Sequence, residues 1–171
     1  MDYITLANLA EKPGAVELAQ ATAQDGRAYA DPELLDLMLR GGDVSAYPPE
    51  QVDIGETAVG VIREAITDAQ NLIDGFLRQR GHRLPLAVVP RQLAVWSRAI
   101  VRYSLHPLRQ SQERDDPIVR DYKIALDFLQ KVAAGKYSLG IDDTQKPQGG
   151  PPRHTGPGRT FSMNTLKDFG K

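Results

Sequence analysis

Between Gly55 and Arg80, apolar side chains recur at steps of three or four residues: Val59, Ile62, Ile66, Ala69, Ile73 and Phe76. Side chains so spaced share one face of a 3.6-residue helix. The stretch is therefore predicted to be one long amphipathic helix with a single stripe to bury. A helix cannot cover its own stripe, so the rest of the chain must supply partners, and two follow directly. Pro90 opens a helix with Leu93, Trp96, Ile100 and Tyr103 facing inward, and Pro107 follows its end. Asp116 and Pro117 open another, as N-cap and first helical residue. Its stripe is Ile118, Tyr122, Ala125, Leu129 and Val132, and Gly135 closes it. Gly81 stops the first long helix, and Leu84-Pro85-Leu86 reads as an extended connector, because a residue before proline avoids the helical region. Three long helices with short joints predict an all-α bundle with antiparallel neighbours.

Flanking segments differ in character. Residues 1–54 read as short helices and a loop. Thr5 caps a turn through Leu6 and Leu9, and Pro13 starts a second helix through Val16 and Leu18. Asp31-Pro32 starts a third helix, carrying Leu34, Leu35, Met38 and Leu39, which stops at Gly41-Gly42. Gly42 to about Asp53, with Pro48-Pro49, reads as loop. Residues 55–141 form the bundle core, and residues 142–171 form an extended C-terminal arm. The arm holds Pro147, Pro151, Pro152 and Pro157 with Gly149, Gly150, Gly156, Gly158 and Gly170. That composition buries too little apolar surface to offset its ordering entropy. The far end nevertheless carries Phe161, Met163, Leu166 and Phe169, apolar anchors suited to a partner's groove.

No enzymatic constellation is visible. His82, His106 and His154 are far apart, and there is no cysteine, so no thiolate metal site or disulfide is expected. Of the paired carboxylates, Asp115-Asp116 caps a helix and Asp142-Asp143 opens the arm. The Gly-rich segments lack a preceding strand and a Walker lysine, so they are linker, not a phosphate cradle. No cofactor and no metal are expected. The first residues lack the basic and apolar regions of a signal peptide, and no apolar run approaches the length of a membrane span. A protein made in the cytoplasm, away from membranes, is the expectation.

Charge is distributed unevenly. Residues 1–74 hold fourteen acids against four bases, a net of −10, whereas residues 75–112 hold seven arginines and no acid. Those arginines are Arg78, Arg80, Arg83, Arg91, Arg98, Arg102 and Arg109. Solvated helix surfaces usually mix both signs, so three readings stand side by side. The arginines pair within the fold or merely solvate it. Alternatively they meet the acidic face of a neighbouring copy, formed by Glu56, Glu64, Asp68 and Asp74, a head-to-tail contact that closes rings. In the third reading they contact nucleic-acid phosphates.

Residues 69–141 also carry an ordered pattern of short segments. Ala69-Gln-Asn-Leu-Ile-Asp-Gly-Phe-Leu leads to Arg80-Gly-His-Arg-Leu-Pro-Leu and Val89-Pro. Arg98-Ala-Ile-Val-Arg-Tyr-Ser-Leu-His, Asp121-Tyr-Lys-Ile-Ala-Leu-Asp-Phe-Leu and Ala134-Gly-Lys-Tyr-Ser-Leu-Gly follow. This pattern, covering under half the chain, resembles the Mu-like prophage neck protein family, itself similar to head–tail connector proteins of siphophages. The resemblance implies a non-enzymatic, helical virion protein of the neck, assembled in the host cytoplasm. It implies a ring, dodecameric in expectation, docked on the portal protein and offering a surface to the next neck (stopper) or tail protein. Genomic DNA would pass through the lumen, with the arginines lining it or lying at subunit seams. It carries over structural positions: Ile73, Asp74, Phe76 and Leu77 at the end of the central helix, Arg102 and Tyr103 in mid-helix, and Gly135, Leu139 and Gly140 closing the last helix. Asp74 and Arg102 either pair between helices or are both exposed. The first 55 residues depart from the family's pattern, with Val44-Ser-Ala-Tyr-Pro-Pro in place of an acidic Gly-containing turn, and the arm is longer than the family's minimum. A helical nucleic-acid-binding or packaging accessory protein is the alternative reading.

Overall fold

A computed structural model describes residues 2–24, 26–107 and 116–141. All regular structure among them is helical. Helix α1 (Leu6–Leu9) is followed by a turn, Ala10–Gly14, and then by α2 (Ala15–Thr22), α3 (Pro32–Arg40), α4 (Pro49–Arg80), α5 (Arg91–Ser104) and α6 (Pro117–Ala133). The C-terminal arm expected over 142–171 lies outside the described residues.

Local chemistry accounts for most boundaries. Thr5 accepts from the Asn8 backbone N–H while the Asn8 side chain accepts from the Thr5 N–H, a reciprocal cap that starts α1. Asp31 and Asp116 each cap a helix whose first residue is proline. Gly41 and Gly81 end α3 and α4 in the left-handed conformation, φ 73° and 93°, which costs little without a Cβ.

Two boundaries differ from expectation. Helix α4 starts at Pro49, not near Gly55, so residues 49–53 belong to it rather than to the loop. Pro49 occupies the first helical position, where its missing N–H costs nothing and its φ is already helical. The Pro48-Pro49 pair thus marks a helix start. Helix α2 begins at Ala15 rather than at Pro13. Lys12, preceding a proline, is extended (φ −154°, ψ 119°), and Gly14 has φ 104°, so the chain breaks between α1 and α2.

The 32 residues of α4 make a rod about 48 Å long at 1.5 Å per residue. Helices α2 and α3 pack on α4, α2 ending near Ile54 and Ala58 and α3 passing beside Gly55. Near Gly55 the backbone runs so close to α3 that a Cβ would collide with the Met38 sulfur. Helices α5 and α6 pack on α4 and on each other. They run antiparallel, as two ring pairs show: Tyr103 stacks on Tyr122 at 3.8 Å, and Trp96 on Phe128 at 5.7 Å. Helix α6 therefore runs parallel to α4, and its end lies beside the end of α4, where the Arg80 guanidinium sits over Gly135.

The predicted stripes form the core. Val59, Ile62, Ile66, Ala69 and Ile73 are buried, as are Leu93, Trp96, Ile100, Ala125, Leu129 and Val132. Each fully buried Leu or Ile contributes about 1.5–3 kcal/mol. Periodicity alone does not mark the aromatic cluster at the end of α6. Tyr137 meets both Trp96 and Phe128 edge-on, at 6.1 and 5.3 Å, closing a triangle of three rings. The segment Gly135-Lys-Tyr-Ser-Leu-Gly thereby gains a physical reason. Gly135 and Gly140 turn the chain with positive φ, Tyr137 docks on the indole, and Leu139 is buried.

Candidate functional site

Six of the seven arginines lie among the described residues, and those six do not share one face. Arg78, Arg83 and Arg91 are exposed around the α4–α5 joint. Arg80 is drawn onto the end of α6, where the carbonyl end of the helix attracts a cation. Arg98 is half-buried, and its Nε has no hydrogen-bond partner. Arg102 crosses to α2 and clasps Glu17, with Nε to Oε1 at 2.5 Å and Nη2 to Oε2 at 2.7 Å. The Glu17 hydrogen bond, the largest cause, raises the Arg102 pKa further above its ordinary value. His106, buried alongside, donates from Nδ1 to the Arg102 carbonyl at 2.7 Å and holds Nε2 3.8 Å from Glu17. Arg109 lies outside the described residues.

Asp74 and Arg102 satisfy neither alternative left open for them. Asp74 is half-buried, accepts the Tyr3 hydroxyl hydrogen bond, and lies 3.6 Å from the Arg78 guanidinium one turn on. Burial and then the Asp74 hydrogen bond push the Tyr3 phenol well above its ordinary pKa. Asp74 is thus withdrawn from the acidic face.

Glu56, Glu64 and Asp68 are exposed on α4. The early start of the helix adds exposed Glu50 and Asp53 to them. The exposed acids occupy the first two thirds of the rod, and Arg78 and Arg80 lie at its far end. From Glu56 to Arg78 the rise is about 33 Å. Acids near a helix start and bases near its end also stabilise the helix dipole, so this polarity serves the fold whatever else it does.

A separate groove of about 430 Å³ opens between the turn before α2, α5 and α6. Trp96 and Ile118 form its buried floor, and Val95 and Ile124 stand half-exposed on its walls. Lys12, Arg98 and Arg102 rim it against Glu17 and Asp121. Sequence reading missed this surface, although Val95 and Ile124 are apolar positions outside the predicted stripes. The anchors Phe161, Met163, Leu166 and Phe169 lie outside the described residues. Among the described residues there is no cluster of His, Asp or Glu arranged to hold a metal, and no helix is long and apolar enough to cross a membrane.

Capped helices with charged surfaces define an all-α protein among the described residues. The chain belongs to the Bacteriophage Mu Gp36 family, whose model matches residues 3–154. It is similar to the Mu-like prophage FluMu protein gp36 of Haemophilus influenzae, with 35% identity over 127 residues, 72% of this chain and 84% of that protein. The Mu-like family expected from residues 69–141 is therefore the one found. The match begins at residue 3, so the N-terminal helices belong to the family pattern as well.

Proposed function

We propose that this chain is a structural head-to-tail adaptor subunit in the neck of a tailed phage, its body a bundle of the three longer helices. Copies form a ring beneath the portal protein, extend the DNA channel and offer a docking surface to the next neck or tail protein. No catalytic step is assigned to it. Membership of a Mu-like phage family supports a structural or assembly role. The observation that carries the ring is the separation of charge along α4. Exposed acids, Glu50 to Asp68, lie toward one end, and Arg78, Arg83 and Arg91 cluster at the other. Complementary patches on different parts of one molecule associate head to tail, and such contacts form a ring where the rotation from copy to copy closes.

Negative-stain microscopy of the purified protein with the portal protein of the same phage tests this. Rings on the portal are expected for the native chain. They should be lost in an Arg83→Glu, Arg91→Glu variant whose helical circular dichroism is unchanged, because exposed substitutions away from paired groups alter stability by only about 0.5 kcal/mol each. Intact rings from that variant would remove the charge argument. A chain that stays monomeric and binds duplex DNA with a steep salt dependence would instead mark a nucleic-acid accessory protein.

A further inference from the structure

Two faces of opposite charge, each with apolar side chains among the charges, lie open on this molecule. The first is the outward side of α4. Val61, Glu64, Asp68, Leu72 and Gly75 follow one another there at steps of three and four, and so share one face. Glu64, Asp68 and Leu72 are exposed, and a Cβ added at Gly75 would meet open space. The one base between Glu50 and Leu77, Arg63, lies off this face, beside Met38 of α3. The second face is the groove between the turn before α2, α5 and α6. Val95 and Ile124 stand half-exposed on its walls, and the Nε of Arg98 is buried without a hydrogen-bond partner. Of the acids on its rim, Glu17 is clasped by Arg102 and Asp121 lies beside Arg120. The surplus charge is therefore positive, from Lys12 and Arg98. An arginine cannot shed its proton, so an arriving carboxylate is the partner this guanidinium lacks. We propose that the groove receives the outward side of α4 of a second copy of the chain, antiparallel to α5, with Leu72 between Val95 and Ile124 and Asp68 at Arg98.

The spacing along the two helices fits this register. Asp68 and Leu72 are about 6 Å apart along α4, and Val95 and Arg98 about 4.5 Å apart along α5. In the antiparallel sense both contacts form together, and Gly75 comes opposite Arg91. In the parallel sense Leu72 on Val95 would set Gly75 opposite Arg98 and leave the guanidinium unmet. A helix laid into a groove, with apolar contacts at the centre and charges around them, is a common mode of recognition. One chain cannot make this contact with itself. Helices α5 and α6 pack on α4, whose buried side, Ile62, Ile66, Ala69 and Ile73, lies over a third of a turn from the outward face. Val95 and Arg98 in turn lie half a turn from Leu93 and Ile100, the side of α5 sunk in the core. The two faces look away from each other in one molecule and can meet only between copies. Each copy carries one of each face, so the contact repeats from copy to copy.

The inference rests on the head-to-tail reading and names its contact, and one set of samples separates the two. The chain has no cysteine, so Leu72→Cys and Val95→Cys are prepared as separate full-length variants, both at exposed positions. Each alone, and the two mixed, are treated with a short bismaleimide at high concentration, with and without the portal protein of the same phage. The products are mapped by mass spectrometry. Dimers joining positions 72 and 95 are expected in the mixture, with dimers of either variant alone at least about tenfold rarer. Asp68→Arg in the Leu72→Cys chain changes an exposed side chain and should keep the helical circular dichroism while lowering the yield at least about tenfold. Adding Arg98→Glu to the Val95→Cys chain should restore it. Dimers as abundant from one variant alone, no 72–95 dimers in any sample, or an unchanged yield with Asp68→Arg overturn the proposal. So does a swapped pair that yields no more than Asp68→Arg alone while both chains keep their circular dichroism. Micrographs of the portal samples report on the ring separately. Rings without 72–95 dimers overturn this contact alone, whereas 72–95 dimers without rings support the contact and overturn the ring.

Discussion

Glu17 on α2 and Arg102 on α5 are 85 residues apart in sequence, yet they meet in a two-pronged ion pair at 2.5 and 2.7 Å. The pair ties the short N-terminal helices to the later half of the chain. Arg102 side-chain exposure is 30% and that of Glu17 is 25%, so solvent screens the attraction in part. Glu17→Gln should lower unfolding stability by about 1 kcal/mol, and Arg102→Ala by somewhat more, because the arginine stem also packs. A double-mutant cycle by urea denaturation checks the coupling. Strictly additive losses would show that the pair contributes nothing.

Tyr3 predicts an alkaline limit. Its folded pKa is raised above the ordinary tyrosine value by burial and by Asp74. In the unfolded chain the phenol ionises near pH 10, while the folded state keeps its proton. Above that pH the folded state binds more protons, so stability falls as pH rises. Tyr122, raised by burial and then by Tyr103, acts in the same direction. Urea midpoints measured at pH 9 and pH 11 should fall with pH in the native chain and fall less in Tyr3→Phe. An equal fall in both would remove the Tyr3 contribution.

Three glycines of α4 should respond in opposite ways. A side chain at Gly55 meets Met38 and Leu34 of α3, so Gly55→Val should destabilise by about 1–3 kcal/mol through overpacking. Gly60 and Gly75 have open space around them. Replacing either with alanine should stabilise by about 0.5–1 kcal/mol, because the unfolded chain loses freedom that the helix never used. Thermal melts of the three variants check the signs.

Trp96 is the single tryptophan of the chain, so its fluorescence reports on the ring triangle directly. Tyr137→Ala removes one edge-on partner and lets water reach the indole. Emission should shift to the red, with a stability loss of about 1–2 kcal/mol from two lost ring contacts. Unshifted emission would mean that Phe128 alone shields the ring.

Periodicity made the all-α class and the stripes of α4, α5 and α6 legible, because each stripe is a property of one helix. Relations between helices left no such trace. Tyr3 and Asp74 are 71 residues apart, and nothing local in either segment announces their contact. The arginine run illustrates the same limit. Sequence places Arg78, Arg98 and Arg102 in one basic stretch, but one is exposed, one is half-buried in a groove, and one is spent on Glu17. The start of α4 was legible in principle. Pro48-Pro49 looks like a loop signal, yet proline at a first helical position is equally a start signal. Only the acids that follow, Glu50 and Asp53, argue for the second reading.

The length of α4 has a mechanical consequence. Helix α4 has no proline after its first residue and so lacks the commonest cause of a kink. At about 48 Å, a pivot of some 5° at the Gly81 end swings the Pro49 end sideways by about 4 Å, roughly the separation of two touching side chains. Helices α5 and α6 hold one end and α2 and α3 the other, and the Glu17–Arg102 clasp bridges the two sets. Strain applied at either set therefore reaches the opposite one by two routes, along the rod and through that clasp.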